Sequence, residues 1–230
     1  MTTSPASFAN PDAVARVALN LAEVRRRIRD VGVDPSRVEV VAVTKSFDVA
    51  TVRAARAAGL TTMGENYVDE LGDKHRDLDD PAISWHYLGA LQSNKIARIV
   101  RAADVVSGVS RDKEIRRLAS LRPGLTIDIQ VDLTGEPRRR GATPDEVVAL
   151  ADLARSEGLD VRGLMTVASP DAARAAQQFA RVDLLRRELG LRGCSMGMSD
   201  DLELAVAHGS TEIRVGRALF GPRTGPTPLT

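Results

Sequence analysis

The sequence predicts a parallel (β/α)8 barrel in a single domain, with one extra helix in front of it. Short apolar runs alternate with longer helical runs in eight units that recur roughly every two dozen residues. A length of 230 residues is enough for one such barrel. An open doubly wound sheet is the alternative. Against it, no Gly-x-Gly-x-x-Gly follows the first strand and no Gly-x-x-x-x-Gly-Lys-[Ser/Thr] occurs.

The first element is the extra helix. Asn10-Pro11-Asp12 supplies a cap and a proline at the first helical position, and the amphipathic segment that follows runs to about Val31. Its apolar residues at helical spacing predict packing on the outside of the barrel. We expect residues 1–9 to form a disordered amino terminus, residues 10–223 the barrel domain and residues 224–230 a flexible tail.

The strands are predicted from apolar and β-branched runs. They comprise residues 38–45, 61–66, 83–89, 105–107, 125–133, 161–167, 193–198 and 212–216. Helices follow the strands, over about 48–58, through 71–78, from 92, over 111–121, from 143, from 169 and from 199. Only a short helical turn, Arg217 to Phe220, follows the eighth strand.

Composition excludes several classes of function. The formal net charge of +1, from 32 basic and 31 acidic residues, gives no field that would attract nucleic acid or an anionic membrane. The single cysteine, Cys194, excludes an internal disulfide, and the histidines at 75, 86 and 208 lack metal-ligand spacing. No segment has the apolar length of a membrane span, so we expect a cytoplasmic protein.

The one dense basic run is Arg138-Arg139-Arg140, followed by Gly141. A nucleic-acid patch needs aromatic or extended basic support, and aromatic residues make up 3% of this chain. A solvated or phosphate-adjacent loop after the fifth strand is the better interpretation.

The most informative residue is Lys45, at the carboxyl end of the run Val38 to Thr44. Strand side chains alternate, so Lys45 is in phase with Val41 and Val43 and shares their side of the sheet. Burial lowers the pKa of an amine, and a lysine that is partly neutral can attack a carbonyl carbon to form a Schiff base. The other interpretation is that Lys45 leaves the strand and points into water. The chain has only four lysines among its 32 basic residues, which favours a specific need for an amine here.

In a barrel, functional groups collect at the carboxyl ends of the strands. Those ends carry mainly neutral polar groups, which is a thin set of acids and bases for catalysis. They include Lys45, Asn66, His86, Ser107, Asp132, Met165, Thr166, the run 195–199, Arg214 and Gly216. Asn66 is either an inward-pointing ligand or a turn former, and Met165 either contacts a ligand or fills the core.

The last two strand–helix units have features typical of a phosphate-binding site. Gly216 ends a strand and a single helical turn begins at Arg217, so their amides project from a helix amino terminus towards an anion. Ser199 could add a hydroxyl, although it is first of all a helix N-cap. Asp200 and Asp201 would repel a phosphate unless they point away.

Five segments in order carry a resemblance to a known family. They are Lys45, Gly64-Glu65-Asn66-Tyr67, the stretch from Trp85-His86 to Leu91-Gln92-Ser93-Asn94-Lys95, Ser195-Met196-Gly197-Met198-Ser199-Asp200-Asp201 and Arg214-Val215-Gly216. From about residue 10 to Arg223, the chain resembles the pyridoxal phosphate homeostasis protein family, the single-domain relatives of the alanine racemase barrel.

The resemblance implies that Lys45 holds pyridoxal 5′-phosphate (PLP) as an internal aldimine. It implies that Ser199 and the amides of Gly216 and Arg217 bind the phosphate. Arg214 would face the pyridine nitrogen and leave it unprotonated, which makes the cofactor a weak electron sink. Asn66 and Met165 would flank the ring, with His86 nearby in no assigned role.

Two departures from the family pattern stand out. Arg217 replaces a frequent Thr and loses its hydroxyl, and whether its side chain adds a second charge to the phosphate stays open. Arg139 falls where relatives often have Lys, which rules out a second aldimine there.

The resemblance implies a protein that binds, buffers and delivers PLP, with PLP-dependent apoenzymes as partners and no robust turnover. We expect a monomer or weak dimer.

Two enzymes are the rivals. A PLP-dependent amino-acid racemase needs a second base, typically a tyrosine from an additional β domain; this chain ends soon after strand eight and has only Tyr67 and Tyr87. A Schiff-base aldolase or phosphate-binding isomerase needs a carboxylate base, and Asp132 is the one good candidate. A structural turn is the more natural role for Asp132.

Overall fold

The computed structural model describes residues 9–136 and 139–222. Residues 1–8 and 223–230, which include most of the expected terminal segments, lie outside the described residues, as does Arg138. The strands are β1 Glu39–Val43, β2 Thr62–Glu65, β3 Ser84–Tyr87, β4 Val105–Val109, β5 Thr126–Gln130, β6 Asp160–Met165, β7 Gly193–Ser195 and β8 Glu212–Val215. The helices are α1 Pro11–Asp30, α2 Val49–Ala57, α3 Val68–Leu78, α4 Ile96–Ala102, α5 Asp112–Leu121, α6 Pro144–Ser156, α7 Ala172–Glu188, α8 Leu202–Ala207 and α9 Arg217–Phe220, with a short 3₁₀ helix at Pro35–Arg37.

The strands form a closed parallel barrel, as the sequence predicts, and the open sheet is excluded. Each strand pairs with the next along the chain, and β8 pairs with β1 from Glu39 opposite Glu212 to Ala42 opposite Val215. Closure places the carboxyl ends of all eight strands in one ring.

The extra helix α1 packs on the outside of this closure against α2, α8 and α9. The side chain of Asn10 caps it by accepting from the amides of Asp12 and Ala13. On its inner face, Asn20 Nδ2 donates to the carbonyl of Leu219 at 2.8 Å, and Arg27 forms an ion pair with Glu203 at 2.5 Å. Helix α1 therefore supports the segments that follow β7 and β8.

Several predicted elements are shorter in the structure. β1 ends at Val43, because Ser46 adopts a left-handed φ of 61° and the amide of Phe47 turns back to the carbonyl of Thr44 at 3.0 Å. β7 ends at Ser195 rather than 198, since Gly197 has a φ of 90° that an extended strand cannot contain. Helix α4 begins at Ile96 rather than near Gln92.

We expect Phe179→Ala to lower the free energy of unfolding by about 3–5 kcal/mol, because it empties a fully buried position between α7 and the barrel. Leu184→Ala on the same helix is the control: its side chain is exposed, and the change should stay within about 0.5 kcal/mol. Urea unfolding followed by circular dichroism measures both, and equal effects would contradict the packing described here.

Candidate functional site

One cavity of about 650 Å³ lies at the carboxyl end of the barrel. Its wall includes all seven residues that the sequence singles out as a cofactor site. They are Lys45, Asn66, Met165, Ser199, Arg214, Gly216 and Arg217. The barrel thus brings together residues that are up to 172 positions apart in the chain, while their roles toward a ligand stay predictions.

Lys45 lies two residues beyond the end of β1 and is partly buried. Val43 lines the same cavity, as the alternation of side chains predicts. Lys45 therefore faces the cavity at the barrel end and not the barrel exterior.

Asn66 follows β2, and its main chain is closely approached by Gly89. A Cβ atom at position 89 would lie 2.1 Å from the carbonyl oxygen of Asn66, so the loop after β3 can pass here only as glycine. Met165, the last residue of β6, is nearly buried and lines the cavity as well. Its two predicted roles, core packing and ligand contact, are therefore compatible.

Arg214 is a buried guanidinium held entirely by neutral acceptors. It donates to the carbonyl and hydroxyl of Ser195 at 2.5 and 2.8 Å and to the carbonyl of Thr166 at 2.8 Å. Burial lowers the pKa of Arg214, with nearby carboxylates partly opposing the shift. A guanidinium has five N–H donors, so this arrangement leaves donor capacity at the cavity wall.

The segment after β7 meets the start of α9 through Ser199. Its hydroxyl accepts from the amide of Ala218 at 3.1 Å, while Gly216 and Arg217 contribute the first amides of α9, which have no intrahelical acceptor. The prediction that Ser199 caps the preceding helix is wrong: α8 begins at Leu202, after an N-cap at Asp201. The Ser199 hydroxyl is instead directed to α9, because the loop from Gly197 turns back over β8.

The two aspartates next to Ser199 are both engaged. Asp200 forms an ion pair with Arg217, and Asp201 accepts from the amide of Met198 at 2.6 Å. The side chain of Arg217 therefore balances the charge of Asp200, and whether a phosphate binds beside this segment stays a prediction.

His86 does not line the cavity, contrary to its expected position near the site. It is buried within the barrel, where its Nδ1 lies 3.6 Å from Glu212 Oε2 across the interior. Burial lowers the pKa of His86, with Glu212 opposing the shift. Arg162 completes this interior cluster by pairing with Asp128 and Glu212 at 2.5 and 2.7 Å. Sequence reasoning missed the cluster because its members lie on four strands that are far apart in the chain, β3, β5, β6 and β8, and their side chains meet only inside the closed barrel.

A second buried group that the sequence analysis missed lies beside Lys45. Glu65 is fully buried, and its Oε1 accepts from Thr44 Oγ1 at 2.6 Å and from Lys74 Nζ at 2.7 Å. Burial raises the pKa of Glu65 to about 6, with Lys74 opposing the shift. The scarcity of lysines was a signal that applied to Lys74 as much as to Lys45.

The groups required by the rival enzymes have structural roles. Asp132 Oδ1 accepts from the amide and hydroxyl of Thr134 at 2.9 and 2.7 Å, which is the turn expected for it. Tyr87 donates to the carbonyl of Ala90, and burial raises the pKa of its hydroxyl to about 12. Neither Tyr87 nor Tyr67 is among the described residues that line the cavity.

The described arginines of the basic run after β5 are Arg139 and Arg140, and Arg139 is tied to its own loop and to the loop after β6. Arg139 donates to the carbonyl of Val167 at 2.8 Å and pairs with Glu136, and Arg140 is exposed.

Across residues 9–136 and 139–222, no group of three or more His, Cys, Asp or Glu side chains could hold a metal ion. In the same ranges, every helix is too short or too polar to cross a membrane.

Comparison with known proteins agrees with this barrel fold. The model of the family "alanine racemase, N-terminal domain" matches residues 14–224. The pyridoxal phosphate homeostasis protein of Pseudomonas aeruginosa is 42% identical over 94% of this chain and 100% of its own. PipY of Synechococcus elongatus, in a structure with PLP bound, superposes with a TM-score of 0.79 at 36% identity, over 89% of this chain and 100% of that chain. An alanine racemase from Streptomyces coelicolor shares the fold, with a TM-score of 0.73 at 21% identity, and this chain covers 62% of its length.

The fold and the family model define a barrel of the alanine racemase type. Within that class, the curated relatives and PipY match nearly end to end. The chain belongs to the family of pyridoxal phosphate homeostasis proteins, which confirms the resemblance read from the sequence.

The Glu65 carboxyl generates a prediction about pH. Its pKa is about 6 in the folded protein against 4.5 when unperturbed, so the folded state binds the proton more tightly. Its stabilising contribution is complete below pH 4.5 and is lost as the pH rises through 6, a change of about 2 kcal/mol.

Glu65→Gln keeps an acceptor and removes this titration. We therefore expect the stability of the wild type relative to Glu65→Gln to fall by that amount between pH 4.5 and pH 7, measured by urea unfolding at each pH. The pKa shift of His86 has the opposite sign. Because His86 is present in both proteins, its contribution to the pH dependence of stability cancels in the difference between them. A stability difference between the wild type and Glu65→Gln that does not vary with pH would contradict the raised pKa of Glu65.

Proposed function

We propose that this protein binds pyridoxal 5′-phosphate in the cavity at the carboxyl end of the barrel, and that it buffers and delivers the cofactor within the cell. The observation that carries the proposal is the meeting of Lys45, Arg214 and the Ser199–Gly216–Arg217 group around one cavity. The family supports it, since its curated members are named for PLP homeostasis and PipY has been seen with PLP bound.

The residues present fit the proposed ligand. A cavity of about 650 Å³ is in the range that small cofactors occupy, and its wall is partly apolar through Val43, Leu88 and Met165. The Ser199 hydroxyl and the amides of Gly216 and Arg217 offer donors to a phosphate. A Cβ atom at position 216 would lie 3.1 Å from the carbonyl of Val43, so a side chain there would crowd this corner.

Lys45 would hold the cofactor through its amine, and the cofactor would supply the aldehyde with which that amine reacts. Lys45 must give up its ammonium proton for the addition. Asn66 and Met165 would hold the ring from the strand ends that flank it, while Ser199 and the two amides fix the phosphate.

Arg214 determines what this site would do with a bound cofactor. Its guanidinium donates hydrogen bonds and gives up no proton at neutral pH, so a ring nitrogen facing it is not protonated by the protein. An acid in that position would strengthen electron withdrawal by the ring, and Arg214 does not. The geometry therefore supports a protein that holds the cofactor rather than one that uses it to stabilise a carbanion.

We propose accordingly that the protein is not an enzyme in the usual sense. The alternative is a PLP-dependent amino-acid racemase, but the relatives carry the name of a homeostasis protein. The hydroxyl of Tyr87 is directed to Ala90 with a raised pKa, which makes it a poor base. We further propose a cytoplasmic monomer or weak dimer whose partners are PLP and PLP-dependent apoenzymes, without nucleic acid or membrane.

The binding proposal is tested by adding PLP to the purified protein, reducing the adduct with borohydride and mapping the modified peptide by mass spectrometry. We expect an absorbance band near the violet edge in the wild type and modification at Lys45 alone. Lys45→Ala should lose both signals. Lys113→Ala, which removes an exposed lysine of α5, is the matched control and should retain them. Modification spread over the exposed lysines would overturn the proposal.

The absence of robust turnover is tested with the PLP-loaded protein and L-alanine, with D-alanine measured by chiral chromatography. We expect no more D-alanine than free PLP produces, because Arg214 would face the ring and neither tyrosine is among the described residues that line the cavity. Sustained racemisation that disappears in Lys45→Ala would establish the enzyme alternative instead.

A further inference from the structure

The two peptide groups on either side of Lys45 are both held by side chains of helix α3. Lys74 Nζ donates to the carbonyl of Thr44, in the peptide group before Lys45, at 2.8 Å. Glu70 Oε2 accepts from the amide of Ser46, in the peptide group after Lys45, at 2.8 Å. Lys74 and Glu70 also form an ion pair at 2.8 Å, one helical turn apart. A single ion pair on α3 therefore spans the main chain of Lys45.

The ammonium of Lys74 is fully used in this arrangement. Its three donors meet the Thr44 carbonyl, Glu65 Oε1 and Glu70 Oε2, all within 2.8 Å. A point-like ammonium suits three converging acceptors better than the planar fork of an arginine does. In a chain that uses arginine for most of its positive charge, a buried lysine here fits a specific geometric need.

Stability is a weak explanation for these charges. Lys74 and Glu65 are both nearly inaccessible, and removing two charges from water costs about as much as their attraction returns. Two carboxylates share one ammonium, so the group carries an excess of negative charge that burial disfavours. Apolar residues of the same volume would pack α3 against the barrel at no such cost, and they would leave the peptide groups of Lys45 unheld.

The turn after Lys45 is strained and depends on the same residues. Ser46 has a φ of 61°, a left-handed conformation that costs a non-glycine residue about 1 kcal/mol or more. Such a conformation persists where surrounding contacts impose it, and here the amide of Ser46 is held by Glu70. The strain is located at the residue that ends the extended chain and sets the direction of the Lys45 side chain.

We propose that Lys74, Glu70 and Glu65 are positioning residues that fix the main chain of Lys45 so that its amine meets an aldehyde in the cavity. The proposal rests on the proposed function, because it concerns the covalent step at Lys45. We name these three residues the α3 clamp. Among the hydrogen bonds and ion pairs of the described residues, those of the clamp hold the main chain on either side of Lys45, and none joins the clamp to the phosphate donors or to Arg214.

The test compares two ligands that differ only in the reacting group. PLP has the aldehyde, whereas pyridoxine 5′-phosphate has an alcohol and cannot form the C=N bond. We expect Glu70→Ala to weaken PLP binding about tenfold and to leave pyridoxine 5′-phosphate binding unchanged, both measured by isothermal titration calorimetry. Glu70 is the most accessible member of the clamp, so its removal disturbs the core least.

Asp69→Ala is the matched control. Asp69 is the adjacent carboxylate on α3 and pairs with Arg98 at 2.6 Å on the surface, away from Lys45. The Asp69→Ala variant should bind PLP and pyridoxine 5′-phosphate as the wild type does. Glu70→Gln keeps an oxygen that can accept from Ser46 and loses the charge that pairs with Lys74, so its loss should be smaller, about threefold, and again confined to PLP. Should Glu70→Ala not fold, Glu70→Gln carries the same comparison.

The outcomes separate the two proposals. A wild type that binds neither ligand overturns the proposed function before any variant is compared. A wild type that binds both, with Glu70 variants that bind PLP equally well, overturns the clamp and leaves the proposed function standing. Equal losses for both ligands also overturn the clamp, since they show a general disturbance of the cavity.

Discussion

The pairing of β8 with β1 is the contact on which the candidate site depends. It joins strands that are more than 160 residues apart in the chain and brings the end of β1, with Lys45, beside the residues that follow β8. Without this closure, the amine and the donors of Gly216 and Arg217 would lie at opposite edges of an open sheet. Helix α1 reinforces the closure from outside, through Asn20 on the carbonyl of Leu219 and Arg27 on the carbonyl of Ser199.

The charges around the cavity are arranged so that each cation has a distinct kind of partner. Arg214 is held by carbonyl and hydroxyl oxygens, Arg217 by the carboxylate of Asp200, and Lys74 by two carboxylates and a carbonyl. The hydrogen-bond partners of Arg214 are neutral oxygens, whereas Arg217 is partly neutralised by the carboxylate of Asp200. Under the proposed function, this difference suits Arg214 to contact with the cofactor ring and the main-chain amides to contact with the phosphate.

Two buried polar clusters occupy different levels of the barrel. The cluster of His86, Asp128, Arg162 and Glu212 lies inside, towards the amino ends of the strands, and the α3 clamp lies at the carboxyl end beside Lys45. In a barrel, the end that bears the strand carboxyl termini serves function and the opposite end serves stability. The separation is consistent with a structural role for the interior cluster and a positioning role for the clamp.

The sequence by itself determined the order and type of the elements, the closed barrel, and the position of Lys45 at the end of its strand. These follow from hydrophobic periodicity and capping, which are local properties of the chain. Family motifs then pointed to the seven residues that the cavity brings together. Only the tertiary structure decided that Ser199 is directed to α9, that His86 lies inside with Glu212, and that Lys74 and Glu70 hold the peptide groups of Lys45. Partners of buried charges depend on which strands and helices become neighbours when the barrel closes, and no local pattern in the chain specifies that.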